Sequence, residues 1–96
     1  MDIRVFKTFI AVAENKHFGR AAETLYITQA AVSARIKQLE EFYSTQLIIR
    51  NKNNLQLTPA GEALLAHAYL MVSQMEQSKV SLSIANQQKI AFNIAA

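Results

Sequence analysis

Apolar positions in this 96-residue chain follow more than one rhythm. Ile3, Phe6, Phe9, Ile10 and Ala13 recur at three- and four-residue spacing, which predicts a first helix over about 2–14. Asn15-Lys16-His17 reads as a short connection, and a second helix begins near Gly19 and closes at Leu25. His17, with no acid or second ligand nearby, reads as a surface residue. Tyr26 and Ile27 supply apolar bulk at a bend, and Thr28 is a good N-cap for a third helix over about 28–43. The Ala21-Ala22 pair suits two helices crossing at close range. Leu47-Ile48-Ile49 and Leu55-Gln56-Leu57 then predict two short strands around the turn Arg50–Asn54.

Thr58-Pro59 opens a long helix, with threonine as N-cap, proline in the first helical position and Gly61 permitting a close approach. From there Leu64, Ala68, Met71, Met75, Ser78 and Leu82 repeat at alternating four- and three-residue steps, a heptad seam. A helix of roughly 25 residues outreaches so small a domain, so the seam is expected to meet a partner helix, most simply its own copy. In the tail, Ile90, Phe92 and Ile94 alternate with Ala91, Asn93 and Ala95. That is a strand period, expected here as the first strand of a further domain.

The third helix has an unusual outer face. Stepping 100° per residue from Val32 puts Ile36, Leu39 and Tyr43 inward, with Phe42 at the edge. Ala30, Ser33, Ala34 and Lys37 fall opposite, and Gln29 projects from the start. A solvated face normally carries Glu/Lys pairs. This one is small, polar and basic, as suits a helix lying in the DNA major groove. A two-stranded flap after such a helix reads as a wing, with Arg50 and Lys52 in its turn for phosphates.

Charge sharpens the picture. Residues 1–58 hold eight Lys and Arg against five Asp and Glu, the whole of the +3 excess, while residues 59–96 balance two against two. There is no cysteine, hence no disulfide or thiolate metal site, and no apolar run approaches a membrane span. A cytoplasmic home is expected. Enzymatic chemistry finds no support: His17 and His67 lie far apart, and Glu40-Glu41 adjoin with no evident nucleophile or metal partner.

Five segments together resemble the N-terminal region of the LysR-type transcriptional regulators, bacterial winged helix-turn-helix proteins. They are FKTFIAVAE (6–14), HFGRAAETL (17–25), ITQAAVSARIKQLE (27–40), Leu47 with Arg50, and LTPAG (57–61). HFGRAAE, the Arg-Ile-Lys-Gln-Leu-Glu run and the Asn-Asn wing are most similar to the HdfR-type subgroup. The resemblance implies a mainly α fold: a winged helix-turn-helix over 1–58 (helix-turn-helix about 18–37, wing about 47–57), a linker and dimerisation helix over 59–88, and the start of a missing effector-binding domain over 89–96. It implies double-stranded DNA as partner, contacted by Arg20, Thr28, Gln29, Ala30, Ser33, Ala34, Lys37, Arg50, Lys52 and Asn53. It further implies a homodimer through Leu64, Ala68, Met71, Met75 and Leu82, a tetramer when full length, and an interrupted palindrome near a promoter as the site. No cofactor is expected in this fragment; a small-molecule effector belongs to the missing domain.

The chain departs from the family pattern at several places. Ala30 stands where proline is usual and Ala34 where arginine is frequent, which shifts base reading toward Gln29, Ser33 and Lys37. Asn53 replaces a common wing arginine, Ser44 a helix-ending glycine, and Ile48 a phenylalanine. The competing reading is a helical dimerisation or protein-interaction module without DNA binding. It calls for an acid-rich third helix and no basic excess in residues 1–58, and the sequence meets neither requirement.

Overall fold

A computed structural model describes residues 1–51 and 54–95, with side chains described as far as residue 87. Its elements are α1 (Ile3–Asn15), α2 (Phe18–Leu25), α3 (Gln29–Tyr43), β1 (Ile48–Asn51), β2 (Asn54–Leu57) and α4 (Pro59–Ala95). The two strands pair antiparallel, with Ile48 opposite Leu57 and Asn51 opposite Asn54.

Helix α1 is the hub, packing against α2, α3 and α4. It buries Val5, Phe6, Phe9, Ala11, Val12 and Ala13, a wider stripe than the five expected positions, because it is covered on several sides. Val32, Ile36 and Leu39 of α3 and Leu47, Ile48 and Leu55 of the wing complete the core with Phe18, Ala21 and Ala22. Asp2 caps α1 through a 2.8 Å bond from the Arg4 N–H to its Oδ1. Helices α1, α2 and α3 end on Lys16, Tyr26 and Ser44, each in the left-handed region at φ 51°, 57° and 50°. Glycine is the usual residue in that conformation, since a Cβ makes it unfavourable.

Two expectations at the helix ends are corrected. Tyr26 is 96% exposed rather than buried at the bend, because the left-handed turn swings it outward; Ile27 alone supplies the apolar contact. Tyr43, expected inward, is 40% exposed beside Phe42, the two rings meeting edge to face at 4.9 Å. The last turn of α3 runs past the core, so its periodicity meets nothing.

Helix α4 brings two larger corrections. Its 37 residues continue through the tail, so the strand expected over 90–94 is helical. Three alternating apolar residues are a weak signal, and no glycine or proline stands after Gly61 to stop a helix, which satisfies its own backbone bonds where a lone strand cannot. The expected seam is also divided. Leu64 and Ala68 are buried in the chain's own core, and Met71 and Val72 are half-buried against it. The core therefore continues past the boundary expected at residue 58. Further bonds fasten α4 to α1: Tyr69 donates to Glu14 at 2.8 Å, which raises the phenol pKa, and Lys7 pairs with Glu76 at 3.7 Å. Of the remaining seam positions, Met75 is half-buried and Ser78 and Leu82 are exposed. A heptad spacing cannot say whether its partner is another chain or the helix's own domain.

The opposite face of α4 carries a second heptad series. Ala63, Ala66, Leu70, Ser73, Gln77, Val80 and Ile84 follow three- and four-residue steps, and all are exposed. Leu70, Val80 and Ile84 are 62%, 58% and 50% exposed, unusual for aliphatic residues in register.

Candidate nucleic-acid interface

Helix α3 is started by Thr28, whose Oγ1 accepts the Ala31 N–H at 3.1 Å. Because α3 buries Val32, Ile36 and Leu39, the residues opposite face outward. Thr28, Gln29, Ala30, Ala34 and Lys37 are exposed and Ser33 is half-buried. No carboxylate stands among these positions from Thr28 to Lys37; the exposed Glu41, one turn further on, is the first on this face. Two alanines at the front of the face let the helix backbone come close to whatever it meets.

The wing is fixed beside this face by its root. The Glu40 carboxylate on α3 accepts the backbone N–H of Leu47 at 2.7 Å and of Ile48 at 3.3 Å. Thr58, the N-cap of α4, donates to the Gln46 carbonyl at 2.7 Å and accepts the Gly61 N–H at 3.0 Å. Gly61 lies so close to the root that a Cβ there would fall 2.2 Å from the Leu47 carbonyl oxygen. The Arg50 guanidinium on β1 sits 3.9 Å above the Phe18 ring. Stacking holds a guanidinium in place while its edge stays available to an anion.

Two shallow polar clefts flank this stack. One, of about 390 Å³, lies between the start of α2 and the wing and includes Lys16, His17, Gln29, Arg50, Asn51 and Asn54. The other, of about 400 Å³, lies between α3 and the wing and includes Ser33, Lys37, Gln46 and Arg50. The structure thus brings Gln29, Ser33 and Lys37 together around the stacked Arg50. Thr28, Ala30 and Ala34 extend the same surface along α3, and Arg20 is exposed in the first turn of α2. Lys52 and Asn53 lie outside the described residues.

The remaining cations in residues 1–58 serve other ends. Arg4 pairs with Asp2 at 2.8 Å, Lys7 with Glu76, and the Arg35 guanidinium donates to the buried Thr8 hydroxyl at 3.2 Å, joining α3 to α1. The useful excess is therefore concentrated on the α3 and wing surface. Asn51 and Asn54 belong to the amide-rich wing, while His17 joins this surface from outside the residues that the sequence points to. The signal available for His17 was its place immediately before α2, where a side-chain acceptor caps a helix.

A three-helix core with an outward second helix of the helix-turn-helix and a basic wing defines the winged helix-turn-helix class of nucleic-acid-binding proteins. Residues 3–62 match the bacterial regulatory helix-turn-helix proteins of the lysR family, and the chain belongs to that family. It is 51% identical over 79 residues to the HTH-type transcriptional regulator HdfR of Yersinia enterocolitica, covering 82% of this chain. The HdfR of Yersinia pestis is 48% identical over the same length. The chain spans 27% of the length of these curated relatives. Among solved structures it is similar to the CbnR DNA-binding domain in complex with DNA, at a TM-score of 0.85 and 30% identity over 88% of this chain and 98% of that one. Vibrio fischeri DarR in complex with DNA superposes at 0.86 with 31% identity, over 91% of this chain and 30% of that one.

Proposed function

We propose that this chain is the DNA-binding and dimerisation part of a bacterial transcription factor that reads an interrupted palindrome near a promoter. The observation that carries the reading is the outward face of α3 from Gln29 to Lys37: small, polar and basic, free of carboxylates over that stretch, and set beside a wing arginine held by Phe18. Gln29 is suited to bidentate contact with an adenine edge, and Ser33 to a base or a phosphate. Lys37, Arg50, Lys52 and Arg20 attract the backbone, and Ala30 and Ala34 allow close approach. A second copy of the chain covers the exposed series on α4, so two α3 helices meet two half-sites. In the full-length protein a small-molecule effector acts through a further domain, dimers pair into tetramers, and the setting is the cytoplasm. Among the described residues no helix is long and apolar enough to cross a membrane.

Selection of binding sites from a random duplex library tests this directly. The expected result is two inverted half-sites at a fixed spacing. Gln29→Ala should lose about 1–3 kcal/mol on the selected site and much less on random DNA. A library showing no enrichment over a protein-free control overturns the reading.

A further inference from the structure

His17 does more than start α2. It holds the N-cap position with φ −161° and ψ 123°, and its Nδ1 accepts the Arg20 N–H at 3.1 Å. A ring nitrogen that accepts carries a lone pair, so the neutral imidazole places its proton on Nε2. His17 is exposed, and among the described residues Nε2 has no hydrogen-bond partner. The cap fixes the tautomer and leaves a donor unspent.

The ring also has a seat. A Cβ on Gly19 would fall 2.9 Å from His17 Cε1 and 3.2 Å from Nδ1, and it would lie 3.8 Å from Gln29 Oε1. Gly19 does not have a positive φ, so its backbone does not demand glycine; a Cβ there would instead push the imidazole off its place. The same space above Gly19 borders the tip of Gln29 at the start of α3. Lys16 and Arg50 line the same cleft, and among the described residues no carboxylate does. An N-cap alone is better served by Ser, Thr, Asp or Asn, none of which needs a glycine two residues on.

We infer that His17 is a further DNA-contacting residue, its Nε2–H donating to a backbone phosphate oxygen at the edge of the groove that α3 enters. The inference rests on the DNA-binding reading above. A phosphate contact is independent of sequence, so a labelled random-sequence duplex is a sufficient probe. Binding by the 96-residue chain is followed by fluorescence anisotropy across a salt series. His17→Asn keeps a good cap and removes the reach of the ring. It should bind roughly fivefold more weakly with an unchanged melting temperature, the scale of one neutral hydrogen bond. Its salt slope should match wild type, because a neutral donor displaces no counterion. Gly19→Ala should weaken binding similarly by displacing the ring, yet cost nothing further in the His17→Asn background. Wild-type affinity in His17→Asn, or additive losses in the double variant, overturns the contact while leaving the wider function standing. Failure of wild type to bind the duplex at low salt overturns both.

Discussion

Replacing Leu70 with glutamate should split the dimer and leave each protomer folded, whereas truncating Leu64 should do the reverse. Leu70 is 62% exposed and Leu64 only 9%, although both lie in the apolar first half of α4. Full burial of a leucine is worth roughly 1.5–3 kcal/mol. With about three-fifths of its surface still to bury, Leu70 contributes roughly 1–2 kcal/mol per copy, or 2–4 in a symmetric pair. Losing that alone raises the dimer dissociation constant roughly thirty- to a thousandfold, and a glutamate desolvated without a partner adds to it. Leu64→Ala instead opens a cavity beside α1, a loss of about 2–5 kcal/mol in folding. Met71, half-buried against the same core, belongs with Leu64 in this division.

Sedimentation equilibrium at low temperature, with helix content measured on the same samples, separates the outcomes. Leu70→Glu should sediment as a monomer with unchanged helicity across the domain. Leu64→Ala should melt far lower yet remain a dimer while folded. A dimeric Leu70→Glu, or a folded monomeric Leu64→Ala, would refute the assignment of the two faces.

Three further outcomes follow from local geometry. Gly61→Ala should destabilise by about 1–3 kcal/mol in urea titration despite its better helix propensity, because the Leu47 carbonyl stands where the methyl must go; equal stability would contradict that packing. Ser44→Gly should stabilise by about 0.5–1 kcal/mol and raise the melting temperature by several degrees, by relieving the left-handed residue at φ 50°. Arg4 hydrogen bonds hold the Asp2 carboxyl at a pKa of about 2, below its usual 3.8. A depressed folded pKa gives stability that is present above about pH 4 and lost as pH falls through about 2. Asp2→Asn, which still caps α1, should flatten the melting profile over that window.

Much of this molecule was legible because local rules and global packing agree. Thr28 and Thr58 announced their helices by cap chemistry alone, and the inward stripe of α3 followed from spacing. What failed shares one cause: periodicity reports that a face is apolar and never what covers it. Leu64 and Ala68 scan like a coiled-coil seam, but α1 occupies their side of α4. Tyr43 scans like core, but the domain ends before reaching it. Tyr26 was misplaced for a different reason, since a left-handed residue reverses the direction of its side chain and tyrosine gives no warning of that conformation. His17 is exposed, as its reading as a surface residue has it, but that reading carries no trace of the cap that its Nδ1 supplies to Arg20.

The root of the wing ties these pieces into one device. The Glu40 carboxylate on α3 accepts the Leu47 and Ile48 amides, while Thr58 at the start of α4 donates its hydroxyl to the Gln46 carbonyl and its N–H to the Leu47 carbonyl. Arg50 then reaches from β1 back to Phe18 at the start of α2. Every element that faces DNA is therefore braced, directly or at one remove, to the helix that bears the exposed series. Because α4 runs without a break from Pro59 to Ala95, in the dimer proposed above its angle to the partner copy would fix where both α3 helices point. A shift of one α4 against the other must then appear as a change in half-site spacing rather than in the contacts within a half-site.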